Sequence, residues 1–227
     1  MTIKDWLEGL SYKLVQGSLD VEVNEVVYDS RKAAPGAVFV CMKGTKIDSH
    51  DFIPQVTEAG VKVLVTEHPV ETPEDVTVVE TENGREALAL FSAARFGYPS
   101  RKLTMIGVTG TKGKTTTTHM IKTILETSGK KTGMIGTNGV YIGEEHFPTV
   151  NTTPESHDLH RYFAKMVEEG CECCVMEVSS QAMKMHRVAG IHFNYGLFTN
   201  ISPDHIGKDE HADFAEYLYY KKQLFRQ

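Results

Sequence analysis

No stretch of the 227 residues is apolar for long enough to span a bilayer, and the opening MTIKDWLEGL is too polar for a secretory signal. A cytoplasmic protein is the expectation. Lys and Arg number 24 against 30 Asp and Glu, for a formal net charge of −6, and the basic residues are scattered in ones and twos. No basic face offers itself to nucleic acid or to an anionic membrane. Cysteine is scarce. Three of the four fall in Cys171-Glu172-Cys173-Cys174, without a second Cys-x-x-Cys or a histidine pair at finger spacing, which disfavours zinc. Alternation along Cys171, Cys173 and Val175 predicts small apolar groups on one side of a strand, and a reducing compartment would keep them as thiols. There is no internal repeat, no low-complexity tract and no guanine-reading Asn-Lys-x-Asp.

The remaining composition, 41% hydrophobic and 24% charged, is that of a globular protein with room for one large or two ordinary domains. Apolar patterning predicts a helix over 2–10, strands over 21–28 and 38–42, and a helix over 50–59. Strands over 61–66 and 76–79 and a helix over 83–96 follow. The segment Gly97-Tyr98-Pro99-Ser100-Arg101-Lys102 breaks the pattern and places a boundary between domains 1–98 and 99–227. Beyond it the chain reads as strand 103–108, helix 114–128, glycine-interrupted strand 132–142, helix 156–169, strands 172–178 and 193–199, and helix 212–226. Strands alternating with helices define an α/β fold, here a small α/β domain followed by a doubly wound sheet. Too few strands precede Gln227 to complete such a sheet, so the front part of a longer protein is expected.

The second part opens on Leu103-Thr104-Met105-Ile106-Gly107-Val108, a buried-strand sequence, and then on Gly110-Thr111-Lys112-Gly113-Lys114-Thr115 at a helix start. Glycines there let backbone N–H groups close on phosphate oxygens, the helix N-terminus adds partial positive charge, and Lys114 reaches the outer phosphates. The Thr115 hydroxyl is placed to meet Mg²⁺. Val108 stands where the usual first glycine of a P-loop would be, and a plain turn between strand and helix is the competing reading. Glu177 ends an apolar strand, where such folds place a carboxylate for Mg²⁺ or simply an acid facing water. His205 also follows a strand and would share the sheet edge with Lys114 and Glu177. Val150-Asn151-Thr152-Thr153-Pro154-Glu155 either binds an anion or caps a helix. Asp29-Ser30-Arg31, taken alone, is a turn.

Taken together and in order, Thr109–Thr115, Asn151-Thr152-Thr153-Pro154-Glu155, Glu177-Val178-Ser179-Ser180 and Thr199-Asn200-Ile201-Ser202-Pro203-Asp204-His205 resemble the Mur ligase family. Asp29-Ser30-Arg31 with Pro35-Gly36 and Asp48-Ser49-His50-Asp51-Phe52-Ile53 is similar to that family's small N-terminal domain. Within the family, the Asn-Thr-Thr-Pro-Glu and Glu-Val-Ser-Ser pair is similar to the branch that adds the third amino acid. The resemblance implies a UDP-binding N-terminal domain and a P-loop ATPase domain. It implies ATP-dependent amide ligation on UDP-MurNAc-L-Ala-D-Glu through an acyl phosphate, with a free amino acid, diaminopimelate or lysine, as the second substrate and a monomer as the working state.

The same resemblance implies roles by position. Gly110, Thr111, Lys112, Gly113, Lys114, Thr115 and Thr116 would cradle ATP. Thr115 and Glu177 would hold one Mg²⁺, and His205 and Lys221, the latter as a carbamate, a second; Lys222 is an adjacent rival. Lys114, Glu177, His205 and Lys221 would be the catalytic set. Tyr28, Ser30, Thr45, Lys46 and Ile47 would contact the UDP end of the substrate, and Asn151, Thr152, Thr153, Ser179 and Arg187 its muramoyl-peptide end. Three features depart from the family pattern. Lys112 replaces an Asn, Met185 stands at a position polar in some members, and Ile206-Gly207-Lys208-Asp209-Glu210-His211 replaces the usual Leu-Asp-Tyr-His-Gly after Asp204-His205. Competing readings are a fourth-step ligase, a folylpolyglutamate synthase relative, and a module that binds nucleotide and UDP-sugar without catalysis.

Overall fold

The computed structural model describes residues 1–44, 47–207 and 210–227. The chain divides into two compact units, Met1–Arg95 and Phe96–Gln227, each built on its own sheet.

The first unit contains β1 (Tyr12–Gln16), β2 (Glu25–Val27), β3 (Ala37–Val40), α1 (Ile53–Glu58), β4 (Val63–Thr66), β5 (Thr77–Thr81) and α2 (Gly84–Arg95). Its sheet runs β1-β5-β4-β3-β2, with β1 antiparallel to β5 and the other pairs parallel. Every residue of β3 and β4 is buried, as expected of parallel strands covered on both faces. α1 contributes Ile53 and Val56 to a core with Phe39, Leu64 and Val78. α2 lies against β2, β3 and β4, and its Phe91 meets the edge of Trp6 at 6.2 Å.

The helix expected over 2–10 is only one 3-10 turn, Ile3–Trp6. Its first N–H groups are taken by Val21 and Leu19 carbonyls, and Gly9 has a φ of 79°, so the chain turns instead of propagating. The apolar set Ile3, Trp6, Leu7 and Leu10 is nonetheless buried. β1 has no counterpart in the sequence reading: four of its five residues are exposed, so it carries no apolar alternation. The helix expected from 50 begins as a 3-10 turn, Ser49–Phe52, and becomes α-helical only at Ile53, with Pro54 in the first turn, where its missing N–H costs nothing.

The second unit contains β6 (Thr104–Thr109), α3 (Lys114–Thr127), β7 (Thr132–Gly136), β8 (Gly139–Ile142), β9 (Glu145–Phe147), α4 (Ser156–Glu168), β10 (Cys173–Glu177), α5 (Ser180–Lys184), β11 (Tyr195–Phe198) and α6 (Phe214–Gln223). The order is β11-β6-β10-β7-β8-β9, parallel across the first four strands and antiparallel across the last two pairs. The single strand expected over 132–142 is therefore a hairpin turning at Thr137-Asn138, with Gly139 at a φ of 105°. α4 packs Leu159, Phe163 and Met166 on one face of the sheet with Met105, Ile135, Cys174 and Met176. On the other face Ile121 and Leu125 of α3 cover Ile106, Val108, Met134 and Val175.

Two expectations change here. Helical spacing over 114–128 puts Met120, Ile121, Ile124 and Leu125 on one face, but Met120 and Ile124 are 61% and 67% exposed, because the stripe that meets the sheet is Thr118, Ile121 and Leu125. All four cysteines are buried free thiols, but Cys171 precedes β10 and joins Cys174 and Met176 in one core, away from Val175. Burial raises the Cys174 thiol far above its ordinary range and leaves it inert.

Candidate nucleotide and substrate site

Because β11, β6, β10 and β7 are parallel and adjacent, the segments after Phe198, Thr109, Glu177 and Gly136 all leave the sheet at one edge. After β6 the chain turns through Gly110, at a φ of 144°, and Gly113, at a φ of 84°, into α3. A side chain at Gly110 would overlap the Thr199 hydroxyl, so glycine is required there for both backbone and space. The loop is clamped from the neighbouring strand end. Thr199 Oγ1 donates to the Lys112 carbonyl at 2.7 Å, Asn200 Nδ2 donates to the same carbonyl at 3.0 Å, and Lys112 N donates to Asn200 Oδ1 at 3.0 Å. Thr199 and Asn200 lie in a stretch the sequence singled out, yet only the clamp gives them a task. The Lys112 side chain is not needed for it, since these bonds engage its backbone.

Two ammonium groups meet in this loop. Lys114 Nζ donates to the carbonyls of Gly110 and Thr111 at 2.9 and 3.2 Å, and Lys221 Nζ, from α6, donates to the Gly110 carbonyl at 2.7 Å. Lys221 is 2% exposed, whereas its neighbour Lys222 is exposed. Burial and then the Lys114 charge hold the Lys221 ammonium down to about 8, against a smaller opposing pull from Asp204. Lys114 is also lowered, by burial, with Glu177 and Asp204 partly offsetting it. The ring of Tyr217 lies 4.5 Å from Lys221 Nζ, and its hydroxyl is 3.1 Å from Thr111 Oγ1.

Glu177 is buried at the end of β10, and both carboxylate oxygens are held from the β7–β8 turn, by Thr137 N at 2.9 Å and Thr137 Oγ1 at 3.2 Å. A side chain at Gly136 would strike this carboxylate. Thr137 was not singled out by the sequence; Thr-Asn-Gly at a predicted strand interruption was the available signal. Thr137 Oγ1 also lies 3.1 Å from Thr152 Oγ1. Thr153 is fully buried, donates from Oγ1 to the Glu177 carbonyl at 3.0 Å and accepts from Ser179 N at 3.1 Å. Ser179 Oγ caps α5 through Ala182 N. Arg187 donates to the Thr153 carbonyl at 3.1 Å and pairs with Glu155 at 2.7 Å. The Asn-Thr-Thr-Pro-Glu and Glu-Val-Ser-Ser stretches are thus tied to one another.

These residues border a cleft of about 300 Å³ lined by Asn151, Thr152, Ser179, Arg187 and His205, with Glu210 and His211 closing it. His205 is half-exposed at a φ of 54°, and its Nδ1 lies 2.8 Å from Glu210 Oε1. His211 is buried, with Nε2 2.9 Å from Ser180 Oγ at the start of α5.

In the first unit, Tyr28 and Ser30 follow β2 and Ile47 lies in the loop after β3, so all three sit at the carboxyl edge of one parallel pair. Thr45 and Lys46 lie outside the described residues. Asp29-Ser30-Arg31 is a capped 3-10 turn: Asp29 Oδ1 accepts from Arg31 N at 3.1 Å, and its carboxylate takes Arg31 Nε and Nη2 at 2.8 and 2.7 Å. These hydrogen bonds pull the Asp29 carboxyl down to about 2. After β3, Lys43 N donates to Glu67 at 3.0 Å, and Gly84 N at the start of α2 donates to the same carboxylate at 2.8 Å.

Among the described residues, one group of His, Cys, Asp and Glu is close enough to share a metal ion: Asp48, His50 and His68. His50 Nε2 accepts from Glu67 N at 3.0 Å and its Nδ1 faces Asp48, so neither ring nitrogen keeps a lone pair for a metal. This group is structural. The oxygen donors at Thr115 and Glu177 instead have the hard character that Mg²⁺ takes.

A glycine loop leading into a helix, two lysines on its carbonyls and a carboxylate at the adjoining strand end define a P-loop nucleotide-binding domain of the α/β class. The chain belongs to the Mur ligase family. Residues 108–227 match the Mur ligase middle domain, and residues 22–96 match the family described as "Mur ligase family, catalytic domain". Over 225 residues the chain is 45% identical to the UDP-N-acetylmuramoyl-L-alanyl-D-glutamate–2,6-diaminopimelate ligase of Clostridium perfringens, covering 99% of this chain and 46% of that protein. It is 44% identical over 227 residues to ligase 1 of the same description from Clostridium acetobutylicum, covering 100% of this chain and 46% of that one. A solved structure of a UDP-N-acetylmuramoyl-L-alanyl-D-glutamate–2,6-diaminopimelate ligase shares the fold, with a TM-score of 0.82 at 20% identity over 99% of this chain and 45% of that chain. The chain therefore spans about half the length of the curated relatives it matches. None of the helices among the described residues is long and apolar enough to cross a membrane.

Proposed function

We propose that the protein is an ATP-dependent amide ligase that adds diaminopimelate to UDP-MurNAc-L-Ala-D-Glu in peptidoglycan precursor synthesis. The observation that carries the reading is the meeting of Lys114 and Lys221 on the Gly110 carbonyl, beside the buried Glu177 carboxylate, in a chain 45% identical to a protein of that description. Diaminopimelate is preferred to lysine on the names of these relatives.

The chemistry joins two anions. The D-Glu side-chain carboxylate attacks the γ-phosphorus of ATP, the bond to the β–γ bridging oxygen breaks, and ADP leaves. The amine of diaminopimelate then attacks the acyl phosphate carbonyl, gives up a proton and expels phosphate. Backbone N–H groups of the 110–113 loop and the N-terminus of α3 receive the phosphates, with Thr116 in the same turn. The Lys114 ammonium, resting on two neutral carbonyls, gains a stronger acceptor in a phosphate oxygen and offsets the charge gathered as carboxylate and phosphate approach. Thr115 and Glu177 would hold one Mg²⁺, His205 and Lys221 a second; the ions supply charge neutralisation when bound. As an ammonium Lys221 has no lone pair for a metal. With its titration lowered to about 8, roughly a tenth of it is neutral amine at pH 7, able to take up CO₂ as an anionic carbamate. Tyr28, Ser30, Thr45, Lys46 and Ile47 would take the uridine end of the substrate. Asn151, Thr152, Ser179 and Arg187 would take the muramoyl-peptide end, whereas Thr153, expected beside them, is fully buried and holds Ser179 from behind instead of meeting substrate. A cytoplasmic location accords with substrates that are nucleotides, and a monomer is the proposed working state.

The test is phosphate release by the full-length protein with ATP, Mg²⁺ and UDP-MurNAc-L-Ala-D-Glu, adding diaminopimelate or lysine in turn. Release dependent on the dipeptide nucleotide and on diaminopimelate is expected. Release only with lysine would correct the amine, and release only with UDP-MurNAc-tripeptide and a D-alanyl dipeptide would move the protein to the fourth step.

A further inference from the structure

We propose that Glu210 is the positioning residue of His205: its carboxylate keeps the imidazole proton on Nδ1 and so leaves the Nε2 lone pair for a divalent cation. The inference rests on the metal role given to His205 above.

Glu210 Oε1 lies 2.8 Å from His205 Nδ1, a hydrogen-bond distance to the ring nitrogen nearer the backbone. An ionised carboxylate only accepts, so this contact requires a proton on Nδ1. In the neutral ring Nε2 then carries the lone pair; Asp204 Oδ2, 4.0 Å from Nε2, lies beyond hydrogen-bond distance and does not claim it. A ligating histidine is commonly fixed in tautomer and orientation by such a carboxylate.

The backbone holds both partners. His205 sits at a φ of 54°, uncommon for a residue with a side chain, and a conformation of this kind persists where its surroundings impose it. Three bonds do so: His205 N donates to Asp204 Oδ1 at 3.0 Å, His211 N donates to the His205 carbonyl at 3.1 Å, and Gly207 N donates to the His211 carbonyl at 3.0 Å. Glu210 is held through its backbone, its N–H donating to the Gly207 carbonyl at 3.1 Å and its carbonyl accepting from Lys184 Nζ at 2.8 Å. The buried His211 then pins the next position to Ser180. Gly207 and Glu210 belong to the stretch that departs from the family's usual sequence. A glycine stands two residues after the histidine, and the carboxylate arrives from five residues after it.

The experiment uses the protein labelled with ¹⁵N-histidine, comparing wild type with Glu210→Ala and Glu210→Gln. Without metal or substrate, the His205 nitrogen shifts of the wild type should report the Nδ1–H tautomer. Glu210→Ala should move them toward Nε2–H, and Glu210→Gln, which keeps a carbonyl acceptor, should lie between. With a non-hydrolysable ATP analogue present, Mn²⁺ binding at the second ion should weaken about tenfold or more in Glu210→Ala. Unchanged His205 shifts in a folded Glu210→Ala protein would overturn the proposal. Failure of the wild type to bind Mn²⁺ with nucleotide would instead strike at the metal reading of the site, and the tautomer measurement would still decide the role of Glu210.

Discussion

The ammonium groups of Lys114 and Lys221 share one acceptor, the Gly110 carbonyl, at 2.9 and 2.7 Å. Two cations on one carbonyl repel each other, and Asp204 and Glu177 contribute opposing charge that offsets part of this repulsion.

This pairing gives Lys221 a pH signature. Its folded titration, near 8, lies below the ordinary lysine value of 10.5, so between these values the unfolded chain binds the extra proton and stability rises with pH. Below about 8 the buried charge is present in full and its cost is constant. Denaturant midpoints measured from pH 7 to pH 10.5 should climb more in the wild type than in Lys221→Met, which lacks the titrating group. Parallel profiles would remove Lys221 as their source.

Glu177→Gln keeps the shape and removes the charge. Its amide can still accept from Thr137 N and offer N–H to Thr137 Oγ1, so a loss of stability beyond about 1 kcal/mol would report the missing charge that offsets Lys114. Mg²⁺-dependent nucleotide affinity, measured by calorimetry, should fall at least about tenfold. Intact affinity would mean that Glu177 serves the fold alone.

Thr153→Val removes one hydroxyl from a fully buried position. The Glu177 carbonyl and Ser179 N lose a partner together, which should cost about 1–3 kcal/mol in chemical denaturation. Binding of the muramoyl dipeptide nucleotide should weaken more than binding of ATP, because Ser179, which lines the cleft, is held by the Thr153 hydroxyl.

His160 predicts acid sensitivity. It is buried on α4 against Phe163, and among the described residues neither ring nitrogen has a hydrogen-bond partner. Burial, helped by His157, pushes it down to about 3 from an ordinary 6.5, so the unfolded state takes up the proton first and stability falls as pH drops below about 6.5. The slope from this group approaches about 1.4 kcal/mol per pH unit and ends near 3. His160→Leu should flatten the denaturation profile across that window, and an unaltered slope would assign the acid sensitivity elsewhere.

Much of the nucleotide loop was legible because its chemistry is local: an apolar strand, two glycines and Lys114-Thr115 at a helix start are all read within a dozen positions. The strand-end placement of Glu177 and His205 was legible for the same reason. Lys221 against Lys222 stayed open in composition, yet Tyr217, Lys221 and Leu224 form one buried stripe at helical spacing, a phase that the sequence already carries. What could not be read was relational. The Thr137 grip on Glu177 joins residues 40 apart, and the Thr199 clamp on Lys112 joins residues 87 apart. β1 escaped because an exposed edge strand has no apolar rhythm, and the β7–β8 hairpin because apolar residues continue on both sides of its two-residue turn.

The most direct measurement is calorimetric titration of the protein with UDP-MurNAc-L-Ala-D-Glu, with UDP-MurNAc-tripeptide and folate as comparators. Saturable binding of the dipeptide nucleotide, weaker for the tripeptide and none for folate, is the expected result. A folded protein that ignores the dipeptide nucleotide, or prefers the tripeptide, would contradict the assignment of this site to the third amino-acid addition.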